Sequence, residues 1–279
     1  MIIVAIGVLG LLLGSFVNAL VWRLHETQEL AGKTSKAAHK RRRDLSIAKG
    51  RSMCPNCGHE LAGRDLVPVL SWVSLRGKCR YCRKPISWQY PLVELATAGL
   101  FVLSYANWPL AFNGVGIFQL VCWLVFVVAF MALAVYDLRW FLLPDRIVVP
   151  LMVLALAQVA VTAVWLHSFS ALWQPAVGAL IIFGLFWTLF QVSDGKWIGG
   201  GDVKLAIVLG LLAGTPVKAF LVIFVASLLG TLVSIPLLAR GKAGLKLQIP
   251  FGPYLLAATI IVVLYGQHFI NWYQNVLVG

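Results

Sequence analysis

Charge is what this sequence is short of. Only 12% of the 279 residues are Asp, Glu, Lys or Arg, against 60% that are hydrophobic. A water-soluble domain of that length needs far more polar surface, so the composition excludes one and points to an all-α polytopic membrane protein. Acids are rarer still, ten against 23 basic residues. Histidine is sparse too: His25, His39, His59, His167 and His268 are scattered along the chain. That leaves no serine, cysteine or histidine constellation suited to nucleophilic catalysis.

What the chain does have is apolar runs near the 20-residue length that a helix needs to cross a bilayer. About eight are expected, over residues 2–21, 92–108, 115–135, 147–166, 176–192, 203–212, 219–238 and 250–270. The first has no basic residue before it and no small-residue cleavage site after it, so it reads as a retained helix rather than a signal peptide.

The charge is unevenly spread. Residues 23–90 hold 15 of the 23 Lys and Arg and 5 of the 10 Asp and Glu, so they carry +10 of the net +13. Basic segments stay on the cytoplasmic side of a membrane. Eight crossings then leave "YDLRWFLLPDR", "SDGKWIGGGDVK" and "ARGKAGLKLQ" in the cytoplasm, while the outer loops "ANWPLAFNG" and "HSFSALWQ" contain no Lys or Arg. The expected organisation is a first transmembrane helix (1–22), a basic cytoplasmic segment (23–90) and a transmembrane core (91–279). The run "HKRRRD" reads as a topology anchor or an attraction to anionic membrane lipid, and no nucleic-acid partner is expected.

Four of the five cysteines fall in the basic segment, as "CPNC" (Cys54, Cys57) and "CRYC" (Cys79, Cys82), with 21 residues between the pairs. Two such pairs suit tetrahedral thiolate coordination of Zn2+. A cytoplasmic location disfavours lasting disulfides, and a segment this small lacks an apolar core of its own. A closed four-cysteine site is structural, not catalytic. A redox pair or unligated thiols is the competing reading. Cys122, in "LVCWLVF", reads as a small buried hydrophobe.

Outside the basic segment only Glu94, Asp137, Asp145, Asp194 and Asp202 are acidic. Acids near or within spans are costly and tend to be functional. Asp137 ends the third span and Asp202 opens the sixth, so the topology brings both to the cytoplasmic face although they are 65 positions apart. The sixth span is short: the 12 residue steps from Asp202 to Gly214 make about 18 Å of helix against a hydrocarbon core of about 30 Å. Its preceding turn, Gly199, Gly200 and Gly201, is therefore expected to dip below the lipid surface, where irregular backbone needs protein or a water-filled cavity around it. Glycines there also let a substrate backbone approach closely. Two carboxylates at one cavity suggest aspartic proteolysis, one taking a proton from water and the other, protonated, polarising the scissile carbonyl. The alternative keeps Asp137 and Asp202 as interfacial caps or as ion-pair partners of Arg139 and Lys204.

The stretches "GSFVNALVWRL", "CPNC", "DLVPVLSWVSLRGKC", "CRYC", "ISWQYPLVELATA", "DLRWFLLPD", "GGGDVKLA" and "IPFGPYL" follow one another in the order found in the type IV prepilin peptidases, also called prepilin leader peptidases/N-methyltransferases. The chain resembles that family over nearly its whole length. The resemblance implies cleavage of the basic leader of type IV prepilins and pseudopilins after a glycine, at the cytoplasmic face of the bacterial inner membrane. The family's aspartate pair falls on Asp137 and Asp202, its knuckle cysteines on Cys54, Cys57, Cys79 and Cys82, and Asp145 matches as a companion. Methylation of the new N-terminus with S-adenosylmethionine is implied by the resemblance alone, because the sequence has no GxGxxG nucleotide turn. Residues 25–50 match no motif of the family and read as a basic insert.

Smaller signals surround these. Glu94, three residues after Pro91, suits either helix capping or a substrate role. Lys204 either tunes Asp202 or anchors its helix at the headgroups. "IPFGPYL" either sets where the last span begins or walls the cavity. A reading from another class also stands: a non-enzymatic transporter with interfacial ion-binding acids. It is disfavoured by the lack of an internal repeat and by the clustering of the acids on one face.

Overall fold

Each of the eight apolar runs folds as a helix. They are carried by α1 (Ile2–Glu29), α3 (Gln89–Ala106), α4 (Gly114–Trp140), α5 (Asp145–Trp165), α6 (Ser170–Val192), α7 (Gly200–Ala213), α8 (Pro216–Ala239) and α9 (Gly252–Val278). A five-residue α2 (Leu70–Ser74) lies between the two cysteine pairs. The structure, a computed structural model, describes residues 1–31, 35, 45–46, 50–239 and 249–278. The expectations for the basic run 39–44 and for the loop 240–248 fall outside the described residues. Among the described residues β-structure is confined to two isolated bridges, Met53 with Glu60 and Lys78 with Pro85, so the fold is all-α.

The count of eight membrane helices is not reached by length and composition. Six helices, α1, α4, α5, α6, α8 and α9, are long and apolar enough to cross a membrane, which makes this a multi-pass membrane protein. The other two fall short for different reasons. Helix α7 has 14 residues, about 21 Å. Helix α3 has 18, but it opens on Gln89 and Tyr90 and holds Glu94.

The chain divides into two compact units, Met1–Ala106 and Asn107–Gly279. In the first, α1 packs along α3. Two glycines one helical turn apart bring the backbones together: a methyl group on Gly10 would lie 2.7 Å from Ala98 Cα, and one on Gly14 2.7 Å from Glu94 Cα. Such small-residue seams are how helices associate in lipid, where apolar packing alone gives no preference for protein over lipid tails. Polar bonds fix the register, Asn18 donating to the Tyr90 carbonyl at 3.1 Å and Gln89 to Asn18 Oδ1 at 3.4 Å.

The second unit is arranged around α7. Val203, Leu205, Ala206, Val208, Leu209, Gly210, Leu211 and Ala213 are all buried, and α5, α6, α8 and α9 pack against the helix. A helix that is apolar on every side belongs inside, surrounded by other helices. It ends at Gly214, whose φ of +77° supplies the left-handed residue of a helix C-terminus. The closest crossing is with α6, where a methyl on Gly210 would lie 2.3 Å from Ala179 Cα. Gly210→Val should therefore force the helices apart at a cost of about 1–3 kcal/mol. Gly184→Ala, where nothing lies within 4 Å, should leave the unfolding midpoint unchanged or raise it. Scanning calorimetry of both variants checks this, and an unshifted midpoint for Gly210→Val contradicts the crossing.

Candidate active site

Asp137 sits in the last turn of α4, only 6% exposed. The helix stops at Phe141, which is left-handed (φ 55°) and bonds its N–H to the Asp137 carbonyl at 2.9 Å. The Asp137 carboxylate accepts a hydrogen bond from the backbone N–H of Gly252, the first residue of α9. Helix-start N–H groups have no intrahelical acceptor, and the helix dipole favours negative charge there. Only glycine permits the approach, since a methyl on Gly252 would lie 2.5 Å from Asp137 Oδ2. This glycine was not singled out from sequence. Its signal was its place between Pro250 and Pro253 in "IPFGPYL", a stretch read as either a helix start or a cavity wall. It is at once the start of α9 and a donor to Asp137.

Asp202 is the third residue of α7, after the helix N-cap Gly199. Its carboxylate reaches back to the Gly199 N–H, as the acid of a capping box does, while Gly199 has no side chain to return the bond. One oxygen is thereby used. The other, Oδ1, is buried and accepts no hydrogen bond among the described residues. Buried polar atoms are almost always partnered, so an exception needs a reason. The Asp137 and Asp202 carboxylates also lie close enough to repel one another electrostatically.

Leu143, from the turn between α4 and α5, packs where the starts of α7 and α9 meet. A methyl on Gly201 would lie 2.9 Å from Leu143 Cβ, and one on Gly252 3.6 Å from Leu143 Cδ2. Gly200 faces Phe190 at 3.7 Å on the same measure. Lys204 does not turn towards Asp202. Its Nζ donates to both Asp145 oxygens at 2.8 Å, in an exposed pair. Arg139 lies over the Trp140 ring, 5.6 Å from its centroid. Among the described residues, then, neither cation forms an ion pair with Asp137 or Asp202.

The first unit holds the remaining candidates. The Sγ atoms of Cys54, Cys57, Cys79 and Cys82 all lie within 4.8 Å of one another, with Cys54 and Cys82 at 3.9 Å. A tetrahedron of thiolates at the usual Zn–S distance of about 2.3 Å has edges of about 3.8 Å, so the four could hold one metal ion. The two knuckles are built alike. After the first, the Gly58 N–H bonds to the Cys54 carbonyl at 2.9 Å, and after the second the Arg83 N–H bonds to the Cys79 carbonyl at 3.0 Å. Burial pushes the Cys54 thiol up to about 11. Burial acts the same way on Cys79, but backbone N–H groups of Cys82 and Tyr81 overcome it and bring that thiol to about 7. A bound cation deprotonates coordinating thiols outright, which is what a site with one reluctant thiol requires.

Two acids brace this unit. Asp65, which sequence reading passed over, accepts from Arg80 Nε at 2.7 Å and from the Tyr81 hydroxyl at 3.0 Å, tying the 3-10 turn Gly63–Asp65 to the second knuckle. Burial raises its carboxyl, but the Arg80 and Tyr81 bonds outweigh that and hold it below its ordinary range. Glu94 is buried and caps no turn of its own helix. Its Oε2 accepts from the Val69 N–H at 2.7 Å, and the carboxylate also accepts from the Ser15 hydroxyl.

Comparison with known proteins matches residues 8–108 to the Bacterial Peptidase A24 N-terminal domain and residues 124–235 to the Type IV leader peptidase family. A prepilin leader peptidase/N-methyltransferase of Stutzerimonas stutzeri is 34% identical over 273 residues, covering 93% of this chain and 89% of its own length. Its counterpart in Xanthomonas campestris pv. campestris is 36% identical, with 95% and 92% covered. The chain belongs to the prepilin leader peptidase/N-methyltransferase family. A third relative of that name, from Pseudomonas aeruginosa, is 32% identical over 95% of this chain and 91% of its own length. No solved structure matches the chain. Asp137, Leu143, Asp145 and Asp202 all lie within the stretch matched to the Type IV leader peptidase family, and the four cysteines lie within the N-terminal match.

The Lys204 geometry is open to direct measurement. Double-mutant cycles followed by thermal unfolding should couple Lys204 to Asp145 by a few tenths to about 1 kcal/mol, as exposed pairs do, and should show no coupling of Lys204 to Asp202. The reverse ranking contradicts the arrangement.

Proposed function

We propose that the protein is a membrane aspartic endopeptidase that removes the basic leader of type IV prepilins and pseudopilins after a glycine, and that it also methylates the new N-terminus. The observation that carries the peptidase reading is the Asp202 carboxylate: buried, within electrostatic reach of Asp137, and with one oxygen left without a partner. In the proposed reaction one carboxylate takes a proton from water. The other, protonated, donates to the carbonyl oxygen of the scissile peptide. Water oxygen bonds to the carbonyl carbon, and the tetrahedral species collapses as the C–N bond breaks and the leaving nitrogen takes a proton from the pair. The Gly199 and Gly252 N–H groups hold the two acids in place from the starts of α7 and α9.

The setting follows from charge and length. The basic segment keeps the cysteine unit in the cytoplasm, α3 and α7 cross the inner membrane along with the six longer helices, and the site opens on the cytoplasmic side. Zn2+ held by Cys54, Cys57, Cys79 and Cys82 staples a segment too small for a core of its own. Methyl transfer from S-adenosylmethionine rests on the name of the relatives.

Expressed with a prepilin substrate, Asp137→Asn and Asp202→Asn should each slow leader removal by about 10²–10⁴-fold while the protein still inserts into membranes. Gly252→Ala should also impair cleavage, because its methyl group displaces the Asp137 carboxylate. Wild-type processing by either Asn variant, followed on gels, rejects the aspartic mechanism. Separately, metal analysis of the purified protein should find about one zinc per chain, lost in Cys54→Ser and Cys79→Ser. Finding no metal, with all four thiols alkylated in the native protein, rejects the zinc assignment.

A further inference from the structure

We propose that α2 and the residues around it lie in the lipid headgroup layer, so that the cysteine segment rests on an anionic membrane surface. The first argument is depth. The Val69 N–H, at the start of α2, is bonded to the Glu94 carboxylate at 2.7 Å. Glu94 lies five residues into α3, about 7.5 Å along that helix. The same carboxylate accepts from Ser15, halfway along α1, a helix long and apolar enough to cross a membrane. Helix α2 therefore begins beside the membrane-inserted part of α1, not out in the cytoplasm.

The second argument is what faces outward there. Leu70 and Val73 are 68% and 59% exposed, and residues three apart share one face of a helix. Trp88 is 68% exposed and packs tilted against Trp72 of α2, ring centroids 4.1 Å apart. Leu66 and Val67 are exposed in the turn just before. An amphipathic element with leucine and tryptophan outermost suits the headgroup–acyl boundary.

The third argument is charge. Arg64, Arg76, Lys78, Arg83 and Lys84 are exposed around this patch. The two acids between Cys54 and Cys82, Glu60 and Asp65, are engaged by Arg51 and Arg80, and among the described residues none of the five cations forms an ion pair. Cations left unpaired beside a membrane are drawn to anionic headgroups. A basic peptide, such as the leader of the proposed substrate, would be repelled by the same cations.

The test is hydroxyl-radical footprinting of the full-length protein in nanodiscs of phosphatidylcholine alone or mixed with phosphatidylglycerol. Leu70, Val73 and Trp88 should be oxidised several-fold less in the anionic discs, and the protection should shrink at high salt. It should be lost in the Arg76→Glu, Lys78→Glu double variant with bound-metal content unchanged. Equal oxidation in both discs overturns the proposal, as does equal protection in both, which means that protein covers the patch. Either result with the six long helices still protected leaves the membrane reading intact; oxidation along those helices would overturn that reading separately.

Discussion

The arrangement of the second unit depends on a short helix having no face for lipid. Because α7 beyond Lys204 is apolar and packed among four neighbours, its 14 residues need not match a bilayer. At its start Gly201 packs on Leu143, and Asp202 Oδ1 is shielded by protein, while Gly199 and Gly200 of the glycine turn stay exposed.

The two acids share a local logic. Each carboxylate accepts from a glycine N–H at the start of a helix, Gly199 for Asp202 and Gly252 for Asp137. Glycine is needed for space at Gly252, where a side chain would collide with the carboxylate it serves. Leu143 fills the angle between the two helix starts, and the exposed pair of Lys204 with Asp145 ties the turn carrying Leu143 to α7. The cations beside the acids in sequence, Arg139 and Lys204, are engaged elsewhere. That leaves the two carboxylates within electrostatic reach of each other, with backbone N–H groups of Gly199 and Gly252 as their donors among the described residues.

Much of this was legible in the residues. All eight apolar runs became helices, because hydrophobic runs of that length leave the backbone few other ways to satisfy its hydrogen bonds in lipid. The paired CxxC spacing announced the sulfur cluster. What stayed hidden were partners set by three-dimensional packing. Lys204 stands two residues from Asp202 and 59 from Asp145, yet it bonds to the distant acid. Glu94 looked suited to a helix cap beside Pro91, but its partner is Val69, 25 residues away. The number of crossings is less legible: α3 and α7 fold as helices where the pattern places them, but length and composition alone mark six of the eight as membrane spans, α7 being short and packed among its neighbours.

An experimental map of the full chain in a lipid bilayer tests the paired-carboxylate chemistry most directly. The expected result is one ordered water within about 3 Å of both the Asp137 and Asp202 carboxylates, in a cavity walled by α4, α7 and α9. Carboxylates that point into separate cavities, or into lipid with no water in common, would contradict it.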